Sequence, residues 1–99
     1  MKMEGKAYID RMVKDLKEWS ATIEEYEGRV SRSPVGLQTE YEQRIRNLKE
    51  KRDLLSSKLL ELRESTSVDS TALEASVETA KHELKVAFDL ARDTMKKAA

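Results

Sequence analysis

The sequence predicts an all-α fold, an antiparallel up-down-up three-helix bundle with coiled-coil-like packing. The first observation behind this prediction is the spacing of apolar residues, which alternates between three and four as on one face of an α-helix. The second is a pair of short breaks that divide the 99 residues into three similar lengths. The composition, with 38% charged residues, one proline and three glycines, is typical of long helices with solvated faces.

The first predicted helix, over residues 4–30, carries the longest uninterrupted apolar stripe. Its seven contact positions are Ile9, Met12, Leu16, Trp19, Ile23, Tyr26 and Val30. The residues between them are mostly charged, as the solvated face of an amphipathic helix requires. Because such a stripe is unfavourable in water, it predicts one or more partner helices.

The second predicted helix spans residues 36–64, and the sequence offers two places for its start. Ser33 followed by Pro34 fits an N-cap with proline at the first helical position. Thr39 and Glu42 form a capping box slightly later. Both starts remain open from the sequence.

The apolar stripe of the second helix is interrupted by one charged residue. Its seam positions are Tyr41, Ile45, Leu48, Arg52, Leu55, Leu59 and Leu62. Leu54 and Leu60 are expected to widen this stripe. Because Arg52 falls on the seam, either its guanidinium extends out of the core edge or it fixes the helix register through a buried acidic partner.

The third predicted helix spans residues 71–97 and follows a hydroxyl-rich break over 65–70. Thr71 and Glu74 form a capping box at its start. Its seam residues are Leu73, Val77, Ala80, Leu84, Ala87 and Ala91, flanked by Phe88 and Met95. The small residues favour close approach of a neighbouring helix, and Phe88 is expected to fill the space that they leave.

Matched helix lengths and short connections favour one closed domain over residues 1–99, in which each stripe packs against the other two. The competing arrangement is a long helical hairpin that dimerises, with the third helix exchanged or packed against a second copy. Heptad spacing alone does not distinguish self-pairing from pairing with another molecule.

Charge and composition argue against several classes of function. The 19 basic and 19 acidic residues cancel, so no net field attracts nucleic acid or anionic lipid. The chain has no cysteine, and its one histidine, His82, lies off the predicted seam and is expected on the surface. No motif supplies a nucleophile with its base, a phosphate loop or a calcium loop. We therefore expect no enzyme, no catalytic, cofactor-binding or metal site, and no small-molecule substrate.

One basic cluster stands out in the second helix. It consists of Arg44, Arg46, Lys49, Lys51 and Arg52. Helical spacing distributes these side chains around much of the helix, with acidic residues between them, so binding of nucleic acid is not expected. In an antiparallel hairpin the cluster lies near Glu24, Glu25 and Glu27, which predicts ion pairs within and between helices.

Two residues are candidates for binding a partner. Trp19 is either a core aromatic residue or an exposed interface residue, since tryptophan is favoured at interfaces. Arg52 is the second candidate because of its seam position. The same two interpretations apply to Tyr8, Tyr26 and Tyr41, which lie toward helix ends, where a ring can pack while its hydroxyl stays in water.

Several short pieces of the chain resemble a group of small bacterial proteins known only as coiled-coil domain-containing. They are Tyr8-Ile9, Leu16-Lys17-Glu18-Trp19, Lys51-Arg52, Lys58-Leu59, Glu83-Leu84-Lys85 and Ala87-Phe88-Asp89, with Ile23, Tyr41, Ile45 and Leu48 between them. The resemblance spans nearly the whole chain and implies three helices, but it brings no activity or site residue. Similar chains often have a tryptophan where this one has Lys81, so a binding surface built on that ring would be absent.

Two hypotheses of function stay open. The first is a non-enzymatic helical module that binds another protein or itself through apolar helix faces. The alternative is a membrane-surface protein whose bundle opens reversibly to lay those faces on lipid, although zero net charge weakens it. No run approaches the roughly 18 apolar residues of a membrane span, and residues 1–5 lack the apolar stretch of a signal peptide. We therefore expect a soluble protein in the cytoplasm.

Overall fold

The computed structural model describes residues 2–65 and 71–97, with side chains over 6–65 and 71–96. This part of the chain forms three α-helices, which are α1 (Lys2–Val30), α2 (Val35–Glu64) and α3 (Thr71–Lys97). The predicted all-α three-helix bundle is confirmed, and the observed helix bounds lie within two residues of the predicted ones.

The helices run up, down and up, with α2 packed against both of the others. The antiparallel arrangement is seen in two contacts: Lys49, in the middle of α2, contacts Glu27 near the end of α1, and Arg44, nearer the start of α2, contacts Thr94 near the end of α3. No described Cα atom of α1 lies within 8 Å of one in α3. The molecule is 51 Å long and 19 by 17 Å across. The third helix therefore packs on α2 of its own chain, and only side chains join α1 to α3.

The core runs along the axis of the bundle and is built from the predicted seams. Its buried apolar side chains are Met12, Ile23, Tyr26, Val30, Tyr41, Ile45, Leu48, Leu55, Leu59, Leu62, Val77, Ala80, Leu84, Ala87, Phe88, Ala91 and Met95. Three seam residues of α1 (Ile9, Leu16 and Trp19) are only partly buried against this core. The stripe of α1 is therefore less completely covered than those of α2 and α3.

The expectation that Leu54 and Leu60 widen the buried stripe of α2 is wrong. Their side chains are 41% and 51% exposed, whereas the neighbouring seam residues Leu55 and Leu59 are buried. One residue along a helix is a rotation of about 100°. That rotation carries both leucines off the face of α2 that its neighbours cover.

In the turn between α1 and α2, serine hydroxyls donate hydrogen bonds to carbonyls in the last turn of α1. The Ser33 hydroxyl donates a hydrogen bond to the Arg29 carbonyl over 2.8 Å. Pro34 then occupies the N-cap of α2 with extended backbone and no side-chain cap, and the helix begins at Val35. The predicted Ser33 N-cap is wrong, because Pro34 holds that position and the Ser33 hydroxyl donates back to the last turn of α1. Thr39 lies inside α2, so it does not start the helix.

The third helix begins at Thr71, as predicted. Residues 66–70, which form most of the predicted second break and include the residue before Thr71, lie outside the described residues.

Candidate interaction surface

An open groove of about 530 Å³ runs between α1 and α2. Its apolar lining is contributed by Ile9, Val13, Leu16, Leu59 and Leu60. On α1 these residues follow spacings of four and three, so they share one face of the helix, on which Ile9 and Leu16 belong to the predicted seam and Val13 lies beside it. Leu60 is 51% exposed, and the three lining residues of α1 are partly buried. The groove therefore presents apolar side chains that the bundle does not cover completely.

Charged residues lie along both edges of the groove. Lys17 and Glu24 belong to α1, whereas Arg52, Asp53 and Arg63 belong to α2. Because the helices are antiparallel, Arg63 lies toward the Ile9 end of the groove and Glu24 lies toward its Arg52 end. Serine and alanine residues complete the lining, and their small side chains keep the groove open.

Of the two roles predicted for Arg52 on the seam, the structure shows the first, in which the guanidinium extends out of the core edge. Its side chain is 25% exposed and pairs over 3.0 Å with Asp53, whose side chain is 70% exposed. The guanidinium therefore reaches the edge of the groove while its methylene chain lies inward, as expected for a snorkelling side chain. The alternative of a buried acidic partner is wrong.

Trp19 occupies a different place from Arg52. It is partly buried and packs against the core, and it does not line the groove. It lies eleven residues after Tyr8 and seven before Tyr26, which places all three on one face of α1. Both tyrosines contact α3, by a hydrogen bond to Glu78 and an edge-to-face contact with Phe88. The structure does not bring Trp19 and Arg52 into one site.

The three tyrosines differ in how their hydroxyls are satisfied. The Tyr8 hydroxyl donates to the Glu78 carboxylate. Burial, together with this bond and the nearby charge of Glu78, raises the pKa of Tyr8 above its ordinary value. Tyr41 is fully buried, and its hydroxyl has no hydrogen-bond partner within the described part of the chain. The prediction that this hydroxyl stays in water is wrong, because Tyr41 lies too deep in the core.

The basic cluster of α2 makes contacts with both neighbouring helices. Lys49 pairs with Glu27 of α1 over 2.7 Å, and Lys51 approaches Glu83 of α3 at 3.7 Å. Glu25 pairs instead within its own helix, with Arg29. The predicted pattern of ion pairs within and between helices is confirmed for these residues, but the predicted pairing of Glu24 is wrong, since Glu24 makes no ion pair with any described residue. Such exposed pairs contribute little to stability.

Arg44 belongs to the same cluster but contacts a hydroxyl. Its guanidinium donates over 3.3 Å to the side-chain oxygen of Thr94, which in turn donates over 3.0 Å to the Leu90 carbonyl. Thr94 is 3% exposed, so this arrangement satisfies its buried hydroxyl both as acceptor and as donor.

His82 is exposed, as predicted. Over the described ranges, no three histidine, aspartate or glutamate side chains come together in a way that would hold a metal ion. None of the described helices combines the length and the hydrophobicity required to cross a bilayer.

No protein-family model, curated protein or solved structure matches this chain. The resemblance to small coiled-coil proteins stays a prediction from the sequence. Of the residues that line the groove, Arg52 is predicted from the sequence as a partner-binding residue and the others are not, although part of their signal is visible. Val13 lies four residues after Ile9 and three before Leu16, which marks a second apolar line beside the seam. The charges at its edges carry no such signal, because charged residues recur along every helix.

Proposed function

We propose that this protein is a non-enzymatic interaction module that binds another protein or a second copy of itself through the α1–α2 groove. The observation that carries the proposal is the partly exposed apolar lining of this groove beside a closed core. A concave apolar surface with charges at its edges is the usual form of a groove that receives a helix.

The dimensions of the groove support this proposal. Its lining on α1 extends from Ile9 to Glu24, and fifteen residues of α-helix rise about 22 Å. That length corresponds to about four helical turns, over which a partner helix places several apolar side chains. Leu60 projects from the α2 side and would lose its remaining exposure on contact with such a partner.

A matched pair of variants tests the proposal. Leu60→Glu places a charge in the groove, whereas Leu54→Glu places one on the same helix at a residue that is also exposed but lies outside the groove. Tagged wild-type and variant proteins are used for affinity capture from native lysate at physiological salt. Each purified protein is also analysed by sedimentation velocity up to millimolar concentration.

We expect the wild-type protein either to self-associate or to capture another protein in stoichiometric amount. The Leu60→Glu variant should bind that partner at least tenfold more weakly. Leu54→Glu should retain it. Equal loss in both variants, or no association of wild type in either assay, contradicts the proposal. Wild type that associates only with liposomes supports the membrane-surface alternative instead. Circular dichroism of each variant checks that the helices are intact.

A further inference from the structure

Positive charge borders one half of the α1–α2 groove. The helices are antiparallel and Lys49 pairs with Glu27, so counting residues from that pair places Arg63 of α2 level with Val13 of α1. Lys17 lies on the opposite edge, about 6 Å further along the groove. Both side chains are exposed, and neither makes an ion pair with a described residue. This half of the groove therefore has one unpaired cation on each edge.

The other end of the groove carries the opposite charge. The same count places Arg52 level with Glu24, but the Arg52 guanidinium is paired with Asp53 over 3.0 Å. The Glu24 carboxylate is exposed and has no ion-pair partner within 6–65 and 71–96. An unpaired anion therefore lies about 10 Å along the groove from Lys17.

Resting on the function proposed above, we infer that the occupant of the groove is an amphipathic helix of another protein that runs antiparallel to α1. Acidic residues flank its apolar stripe in its C-terminal half, where they face Lys17 and Arg63. A basic residue in its first turn faces Glu24. The helix dipole favours the same direction, because its negative C-terminal end lies toward the two cations and its positive N-terminal end toward the anion. Charge complementarity of this kind selects both the partner and its orientation.

A second copy of the closed bundle does not supply such a helix. Its apolar stripes are packed in its own core. Outside the groove, the large apolar side chains that are exposed in the described ranges are Val35 and Leu54 on α2 and Val86 and Leu90 on α3. The first two are nineteen residues apart, and the other two span only about one helical turn. The groove extends over about four turns, so its occupant carries a longer free stripe than these helices offer.

Two probe peptides test the charge pattern and the direction together. Both are designed amphipathic helices of about 18 residues with the same composition and the same apolar stripe. The first has lysine in its first turn and glutamate beside the stripe in its last two turns, and the second has these charges exchanged. Fluorescence anisotropy of the labelled peptides gives their dissociation constants. We expect the wild-type protein to bind the first peptide at least tenfold more tightly than the second.

Reversal of both cations shows whether they cause this preference. In the double variant Lys17→Glu with Arg63→Glu, the preference should fall below threefold or reverse. The control, Arg11→Glu with Lys85→Glu, changes the net charge equally at exposed residues outside the groove and should keep the preference. Because two peptides are compared on each protein, any difference in their own helicity cancels. Circular dichroism checks that each variant is folded.

Equal binding of the two peptides, a preference for the second, or loss of the preference in the control overturns this inference. Failure of both peptides to bind the wild-type protein at millimolar concentration overturns it as well. The interaction module is judged separately, by the association that depends on Leu60. If the wild-type protein still captures a protein or a second copy in that way, the module stands and only the inferred helix is wrong. If it does neither, both proposals are wrong.

A second measurement reports the direction of the bound helix without depending on charge. The chain has no cysteine, so Gly28→Cys introduces a single thiol for a nitroxide label just beyond the Glu24 end of the groove. Gly28 is exposed, and an added Cβ atom would meet no atom within 4 Å. The label should broaden the NMR signals of the first turn of the bound first peptide more than those of its last turn. Stronger broadening of the last turn would mean that the helix runs parallel to α1, which overturns the inferred orientation.

Discussion

The Tyr8 hydroxyl donates a hydrogen bond to the Glu78 carboxylate and so joins α1 to α3. Within the described residues, the backbones of these two helices stay more than 8 Å apart at Cα, so their connection depends on side chains. The edge-to-face contact of Tyr26 with Phe88, with ring centroids 6.4 Å apart, is a second connection. The position of α1 therefore depends on α2 and on a small number of aromatic contacts.

Replacing Tyr8 by phenylalanine should destabilise the bundle by about 0.5–1.5 kcal/mol, the usual contribution of one hydrogen bond. The ring and its packing are retained, so the change reports on the hydroxyl. Urea unfolding followed by circular dichroism at neutral pH measures the difference. In the Glu78→Gln background the same substitution should have a smaller effect, because the carboxylate is no longer charged.

The same hydrogen bond should make stability depend on pH at the alkaline end. The folded protein raises the pKa of Tyr8, so its contribution is fully present below the ordinary tyrosine pKa near 10. It is lost as the pH rises above that value, where the unfolded chain releases the phenolic proton before the folded one does. The difference in unfolding free energy between wild type and Tyr8→Phe should therefore shrink from pH 9 to pH 11. A constant difference over that range contradicts the assignment.

Leu84→Ala should cost about 2–5 kcal/mol, since the leucine is fully buried and its loss leaves a cavity. His82→Ala, two residues earlier on the exposed face of α3, should change stability by less than about 0.5 kcal/mol. Thermal or urea unfolding compares the two. Equal shifts of the unfolding midpoint would show that the assigned face of α3 is wrong.

Tyr41→Phe should leave stability unchanged or raise it by about 1 kcal/mol. The substitution removes a buried hydroxyl that has no partner among the described residues and keeps the ring in the core. Urea unfolding at pH 7 measures the change, with Tyr8→Phe as the contrasting variant that loses a hydrogen bond. A loss of more than 1 kcal/mol would indicate that the hydroxyl is hydrogen-bonded.

Gly28→Ala should stabilise the protein by about 0.5–1 kcal/mol. Gly28 lies inside α1 without a positive φ, and an added Cβ atom would meet no atom within 4 Å. Alanine therefore fits the folded backbone and reduces the conformational freedom of the unfolded chain. The urea concentration at the unfolding midpoint should rise, while the dependence of the unfolding free energy on urea concentration should stay the same. A lower midpoint would mean that glycine is required at this position.

The spacing of apolar residues predicts three helices and most of the core, because one buried face leaves a regular pattern in each helix. The two short breaks and their capping residues predict the helix bounds. The same spacing did not show how completely each face is covered. Leu60 is expected to widen the buried stripe of α2, but its side chain points away from the core. Leu16 lies on the seam, yet its side chain stays partly exposed. Coverage depends on the distances between helices, which the pattern does not encode.

The site was harder to predict than the fold. Arg52 was singled out because it interrupts a seam, and the structure places it at the edge of the groove. Trp19 was singled out for its residue type, and it lies on another face of α1. Glu24 is predicted only as an ion-pair partner of the basic cluster, and Arg63 is not predicted at all, because the groove that both residues line forms only when α1 and α2 lie side by side in antiparallel register.

Trp19 is the only tryptophan of the chain, and it belongs to the helix that is joined to the bundle least extensively. Its fluorescence emission should therefore report when α1 separates from the other helices. Far-UV circular dichroism, in contrast, averages over all three helices. If the red shift of Trp19 emission occurs at a lower urea concentration than the loss of the circular dichroism signal, α2 and α3 remain helical after α1 has detached. Without any label, this protein thus carries its own optical probe of how cooperatively its three helices unfold.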